Sequence, residues 1–341
     1  MKLIRLVGMV GWWLFLYVPA ATGQIPPIGI IDSYGLRTIS ESEVRNVLPF
    51  KEGDTLFPDS SAISSLEAGL AAKLKVDRVE LGLVCCDDSS KAIVYIGIEE
   101  TSATRLEFHP PPTGNVILPP EVFETYNDFG RALHEAVLSG DTTDDLLSQN
   151  PAIRMSKERF LVYAKQHIET LRHVLRDSEN AEYRAAAALV LGYAENKKDV
   201  VEDLQQAVLD PSAGVRNNAT LVLGEIIVLA EQHPELGIEI RPDVFIDMLN
   251  SVVWTDRNTA LMFLNSLTRG RQTQVLEQIR QRALLSLVEM SRWKNDGHAL
   301  AAYVILGRIV GLSDEEMWDT RTKGQREATI AKALRLQSPD N

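Results

Sequence analysis

The sequence predicts an α+β domain of order β-α-α-β-β followed by an all-α solenoid, within a chain of 341 residues. Three observations predict it. The hydrophobic period changes repeatedly between Ile28 and Glu100, a proline cluster interrupts the chain at 110–120, and beyond it one ten-residue string recurs at helical spacing. An apolar content of 45% with 24% charged residues supports a packed core in both parts.

Ahead of the first domain, Met1-Lys2-Leu3-Ile4-Arg5 carries two positive charges, and Leu6 to Val18 carries none. Small residues follow, with Ala21 and Gly23 suited to the −3 and −1 positions of a cleavage site. The pattern predicts a signal peptide over 1–23. The competing reading is a retained anchor, since Leu3 to Ala21 nearly spans a bilayer if Arg5 snorkels. Either reading puts the remainder outside the cytoplasm, in the periplasm or at the cell surface. No later segment is expected to span a membrane.

The first domain occupies 24–109. Ile28 to Tyr34 reads as a strand ending at Gly35. Ser40 followed by Glu43 gives a capping box for a helix that Pro49 stops. After the Lys51-Glu52-Gly53-Asp54 turn, Asp59 or Ser60 caps a second helix with Ile63, Leu66, Leu70 and Leu74 on one face. Arg78 to Cys86 and Ala92 to Glu99 alternate as strands, joined as a hairpin by Asp87-Asp88-Ser89-Ser90. Cys85 and Cys86 are the only cysteines. Adjacent strand residues face opposite ways, which favours one buried and one exposed thiol over a bridge.

This order resembles a POTRA domain, on the residues Ile31 to Gly35, Ile39-Ser40, Gly53, Leu74 to Val79 and Ile96-Gly97-Ile98-Glu99-Glu100. The resemblance implies a module of outer-membrane assembly and two-partner secretion proteins, with a strand edge open to β-augmentation. Those proteins carry several such modules ahead of a β-barrel. This chain has one and no barrel follows, so an insertase role is not implied.

Pro110-Pro111-Pro112 and Pro119-Pro120 favour extended polyproline II, predicting a linker over 110–120. The helical repeat domain is expected over 121–336, with a short tail at 337–341. Its strongest signal is Tyr183 to Gly192 laid over Val215 to Gly224, which share the arginines Arg184 and Arg216 and the ending Leu-Val-Leu-Gly. A third copy runs from Arg257 to Asn265 and a looser fourth from Ala299 to Gly307. Glu121 to Thr170 supplies a capping helix and a degenerate first unit. Two amphipathic helices cannot bury their apolar faces alone, so such units stack. The Asp177…Arg184 and Asp210-Pro211…Arg216 patterns resemble HEAT repeats, in which the acid closes the turn and the arginine begins the second helix. Asp210 before Pro211 also fits an N-cap and first helical residue. The overall look is that of a HEAT-repeat protein of the bacterial envelope.

A formal net charge of −12, spread along the chain, disfavours nucleic acid and anionic membrane surfaces as partners. No metal-ligand spacing, P-loop, dinucleotide fingerprint or nucleophile elbow occurs, so no cofactor and no metal are expected. Two polar strings remain, Trp254-Thr255-Asp256-Arg257-Asn258 and Glu289 to His298, the second containing Trp293. Asp256 and Glu289 with His298 could form an acid/base set. Placed at inter-helix turns, the same residues instead cap helices, pair across units and pack between layers. Arg184, Arg216, Trp254, Asp256, Arg257, Glu289, Trp293 and His298 are therefore the candidate binding residues, with no catalytic residue nominated.

The expectation is an exported protein-binding scaffold or adaptor of the cell envelope, not an enzyme. It would engage partners through a helical groove and a strand edge. Alternatives are a hydrolase or lyase around Asp256, Glu289 and His298, or an N-terminal domain that only caps the solenoid.

Overall fold

The computed structural model describes residues 26–55, 60–101, 106–138, 150–319 and 323–336. The signal peptide expected at 1–23, the Asp59 cap and the tail at 337–341 lie outside the described residues.

Five elements form the N-terminal domain in the expected order: β1 (Ile28–Tyr34), α1 (Glu41–Val47), α2 (Ser60–Leu74), β2 (Arg78–Val84) and β3 (Ala92–Glu99). The last strand is central, with β1 parallel and β2 antiparallel to it. Ser40 caps α1 reciprocally: its hydroxyl accepts from the Glu43 N–H while the Glu43 carboxylate accepts from the Ser40 N–H. Both faces of β3 are buried. Val94, Ile96 and Ile98 pack with Val44 and Leu70 of the helices, whereas Tyr34, Val84, Ile93 and Tyr95 join the core of the helical stack.

The cysteine expectation is corrected. Cys85 and Cys86 form a disulfide. Strand β2 ends at Val84, so the pair lies beyond the strand and the opposed-face argument does not apply.

The all-α region is a series of paired helices. They are α3 (Pro120–Leu138) with α4 (Pro151–Gln166), α5 (Ile168–Asp177) with α6 (Ala181–Leu191), and α7 (Val201–Ala207) with α8 (Ala213–Gln232). Then come α9 (Asp243–Met248) with α10 (Trp254–Leu267) and α11 (Thr273–Ser291) with α12 (Asp296–Ile309); α13 (Asp314–Asp319) and α14 (Lys323–Arg335) follow, α14 packing on α11 and α12. The second helices stack in order, α6 on α8, α8 on α10 and α10 on α12. Seven consecutive residues of α6, Ala185 to Leu191, are buried, because neighbours cover it on several sides. The glycine that ends the repeated string permits close approach: a Cβ on Gly192 would stand 2.7 Å from a Val222 methyl on α8.

One later segment does reach spanning length, contrary to the sequence expectation. Helix α8 is long and apolar enough to cross a membrane by composition, yet 67% of its apolar window is buried inside the stack. Burial between α6 and α10 accounts for its hydropathy.

The proline-rich segment is not a free linker. It runs back along the turns between paired helices as a strap. The His109 N–H donates to the Leu209 carbonyl (2.8 Å), and Gly114 forms a β-bridge with Ser178, its N–H donating to the Asp177 carbonyl (2.9 Å). The Ser178 hydroxyl donates to the Val116 carbonyl (2.7 Å). Extended prolines leave carbonyls free to accept and expose few donors, which suits a segment lying across helix ends.

Candidate functional site

The repeated arginine is the fourth residue of each helix that carries it: Arg184 in α6, Arg216 in α8, Arg257 in α10 and Arg326 in α14. At that position a long side chain reaches back to the turn before its helix and across to the next unit. The Arg184 Nη1 donates to the Ser178 carbonyl (2.8 Å), while its Nε and Nη2 grip both oxygens of Asp210 at 2.7 and 2.9 Å. Arg216 repeats the arrangement, with Nη1 on the Asp210 carbonyl (2.9 Å) and a fork on Asp256 at 2.9 and 2.8 Å. Arg257 donates to the Ser251 carbonyl and pairs with Glu289 at 3.1 Å. Arg184, Arg216 and Arg257 are thus each satisfied twice, by their own turn and by the following unit, whereas Arg326 reaches back to the Ser291 carbonyl and Asp296 of the preceding unit. Such forks are the strong form of ion pair, and burial keeps salt from screening them.

One expectation about these acids needs correction. Asp210 does not cap α8, whose N-cap is Ser212. Its carboxylate holds Arg184 and the Ser212 N–H instead. Arg184 begins the second helix as the HEAT-like pattern implies, and its carboxylate partner is the acid of the next unit, Asp210.

The ladder breaks at α12, whose fourth residue is Ala299. There the sheet docks. The Tyr95 hydroxyl lies 2.7 Å from Nδ1 of His298, in the first turn of α12. Its ring stacks on Trp254 (centroids 5.1 Å) and tilts against Trp293 (4.9 Å). The Tyr34 hydroxyl donates to the Val252 carbonyl (2.7 Å), with the Arg257 guanidinium 4.5 Å over its ring. Glu289 is shared across the junction. It takes Arg257 from the stack, and from the N-terminal domain it takes the Arg37 guanidinium and the Gly35 N–H. On the outer side of β1, the Lys294 N–H donates to Asp32 (2.7 Å) and its ammonium to the Ile31 carbonyl. Further along, the Arg216 guanidinium sits 3.9 Å over Phe108 of the strap.

Electrostatics follow burial. Removal from water lowers His298 to about 4, so its imidazole is neutral at physiological pH. Burial also raises the Tyr95 and Tyr34 phenols and the Asp32 carboxyl, the last opposed by bonds from Lys294. Arg257 is lowered by burial, against the pull of Glu289.

The eight nominated residues therefore fall into one ladder and one docking cluster. Arg184, Arg216, Asp256, Arg257 and Glu289 belong to the ladder; Trp254, Trp293 and His298 meet the sheet. Asp256 and His298 turn to different partners, Arg216 and Tyr95. Asp256 bonds to Arg216 and Ser251, Glu289 to Arg257 and Arg37, and His298 to Tyr95, with no hydrogen bond among the three. The tryptophans, from successive units, stack on each other (centroids 6.4 Å) and on Tyr95 of the sheet. Sequence reasoning missed Tyr34, Tyr95, Arg37 and Phe108, whose partners lie far along the chain.

A cleft of about 680 Å³ opens where sheet, strap and α11 meet, walled by Arg37, Ile98, Phe108, Val252, Arg257 and Leu285. Two of its guanidiniums, Arg37 and Arg257, are the ones spent on Glu289. Among the described residues, no group of three or more His, Cys, Asp or Glu could hold a metal ion.

Residues 168–265, which span the first three rungs of arginine, match the family model for HEAT repeats. No curated protein matches the chain.

Proposed function

We propose that this chain is an exported scaffold of the cell envelope that binds a partner protein through its helical stack, with the N-terminal sheet as a brace on that stack. HEAT repeats generally serve as protein–protein interaction scaffolds, and stacked pairs present an extended surface suited to it. The observation that carries the reading is the fate of the polar residues: the buried arginines and acids of the repeat turns are spent holding units and sheet together. What they build is a rigid surface.

The strand order β1-β3-β2 supports the likeness to a POTRA module. Its edges are nevertheless in use. The Ile31 carbonyl on the outer edge of β1 accepts from Arg45 and Lys294, and the Leu81 N–H of β2 donates to the Glu67 carboxylate (2.8 Å). Strand addition would have to displace these bonds. The reading accordingly narrows from a two-site adaptor to a single-surface scaffold.

The test is site-specific crosslinking in the native cells, with probes on the second helices and, as a control, on β2, combined with fractionation. A saturable adduct from the helical probes in the envelope fraction is the expected result. A cytosolic location would remove the export claim, and adducts confined to β2 would replace the stack by the strand edge.

A further inference from the structure

At the end of α12 away from the docked sheet lies an arginine that forms no ion pair with a carboxylate among the described residues. Arg308, near the end of α12, donates only through Nη1, to the Asn265 carbonyl (2.6 Å), the Asn265 side-chain oxygen (3.0 Å) and the Thr268 hydroxyl (2.9 Å). Its Nε is buried with no partner, and no carboxylate among the described residues forms an ion pair with it. Two more arginines stand close by, after the end of α10. Arg269 pairs loosely with Glu231 (3.7 Å) and Arg271 with Asp314 (2.8 Å), so three guanidiniums share two carboxylates. Arg271 holds φ +53, a left-handed conformation that glycine would adopt at less cost. Burial, reinforced by the charges of Arg271 and Arg269 against those of Asp314 and Glu231, lowers Arg308 to about 10. A positive cluster of this kind is unusual in a chain of net charge −12.

The neighbouring surface is apolar. Leu300 and Val304 precede Arg308 at four-residue steps on α12, and Met262 precedes Asn265 on α10; all are half-buried, where the flanking residues of both helices are mostly buried. Residues at these spacings share one helix face, so an apolar stripe leads to the unpaired guanidinium.

We propose that Arg308 anchors a carboxylate on an acidic, partly apolar segment of the partner protein, with Arg269 and Arg271 beside it and the stripe of Met262, Leu300 and Val304 under the rest of the segment. This rests on the scaffold reading above and names the chemistry of its partner. A bare oxyanion would leave the stripe unused, which favours a peptide over free phosphate. The competing structural role is that Arg308 merely caps the C-terminal carbonyls of α10.

The full chain is titrated against a short fluorescein-labelled peptide of alternating Glu and Leu, and against its Gln/Leu counterpart, by anisotropy. Binding of the acidic peptide alone, weakening as salt rises, is expected. R308Q should weaken it about tenfold or more, because a charge-assisted, partly desolvated bond is lost. N265A removes one of the acceptors that hold Arg308 and keeps the charge, so it should weaken binding clearly less than R308Q does. An N265A loss equal to that of R308Q, equal binding of both peptides, or complete displacement by inorganic phosphate would overturn the proposal. So would an Arg308-dependent dimer in sedimentation, since the carboxylate would then come from a second copy. In cells, an R308Q chain that captures its partner as well as wild type defeats this inference and leaves the scaffold reading standing; a wild-type chain that captures nothing defeats the scaffold reading itself.

Discussion

The Tyr95 hydroxyl and the His298 imidazole meet at 2.7 Å across 203 residues of chain, tying the central strand of the sheet to the helix where the arginine ladder is interrupted. The contact is buried and the imidazole neutral, so docking of the sheet is coupled to proton binding.

That coupling has a sign. Burial lowers His298 from 6.5 to about 4, so between these values the unfolded chain binds a proton that the folded chain does not. Its contribution is fully present above pH 6.5 and declines as pH falls towards 4. The gap corresponds to about 3 kcal/mol. Urea denaturation from neutral to mildly acidic pH should show this loss in the wild type and a flatter profile in His298→Gln; parallel profiles would contradict it.

Arg216 and Asp256 are both buried, with side chains 2% and 0% exposed. Arg216→Met leaves the Asp256 charge without its fork and should cost about 3–5 kcal/mol in chemical denaturation. The double variant Arg216→Met with Asp256→Leu removes both charges and should recover a large part of that loss. If the double variant is no better than the single, the fork is not the source of the penalty.

Glu289 serves two arginines, one on each side of the junction. Glu289→Gln keeps the shape and removes the charge, so Gly35 and Arg37 should exchange their amide hydrogens faster while the α6 and α8 amides hold theirs. Uniform acceleration over both regions would indicate global destabilisation instead of local release of the sheet.

Gly97 faces the stack from β3. A Cβ there would lie 2.1 Å from the Val252 carbonyl oxygen and 2.8 Å from the Tyr34 hydroxyl, and the first of these is backbone that cannot rotate aside. Gly97→Ala should therefore separate sheet from stack at a cost of about 1–3 kcal/mol, read as a lower melting temperature and new protease cleavage between the two. Unchanged melting and cleavage would show that the junction has slack.

Legibility tracked the range of the interaction. Ser40 and Glu43 are three residues apart, and their capping box was readable because both partners sit in one turn. The strands of the first domain and the copies beginning near Arg184, Arg216 and Arg257 were readable from period and repetition. Arg326 occupies the same helical position but follows Lys323-Gly324-Gln325, which disguises it, and it bonds to the preceding unit instead of extending the ladder. The role of Asp210 was misread because its local pattern, an acid before Pro211, is a good cap on its own. Nothing local marks Tyr95 as the partner of His298, or Phe108 as the platform for Arg216. The half-buried Arg308 escaped notice because a lone arginine late in a helix is ordinary.

The strap sets an order of events. The sheet precedes the stack in the chain but leans on its later units, through contacts such as Lys294 to Ile31 that close a loop of 263 residues. During synthesis, the cover that Tyr34 and Tyr95 find on Trp254, Trp293 and His298 is complete only once the polypeptide has advanced past His298. Closing so long a loop is entropically slow, so the helical pairs form first from near neighbours and the sheet arrives on a finished surface. The segment that emerges earliest is among the last to settle.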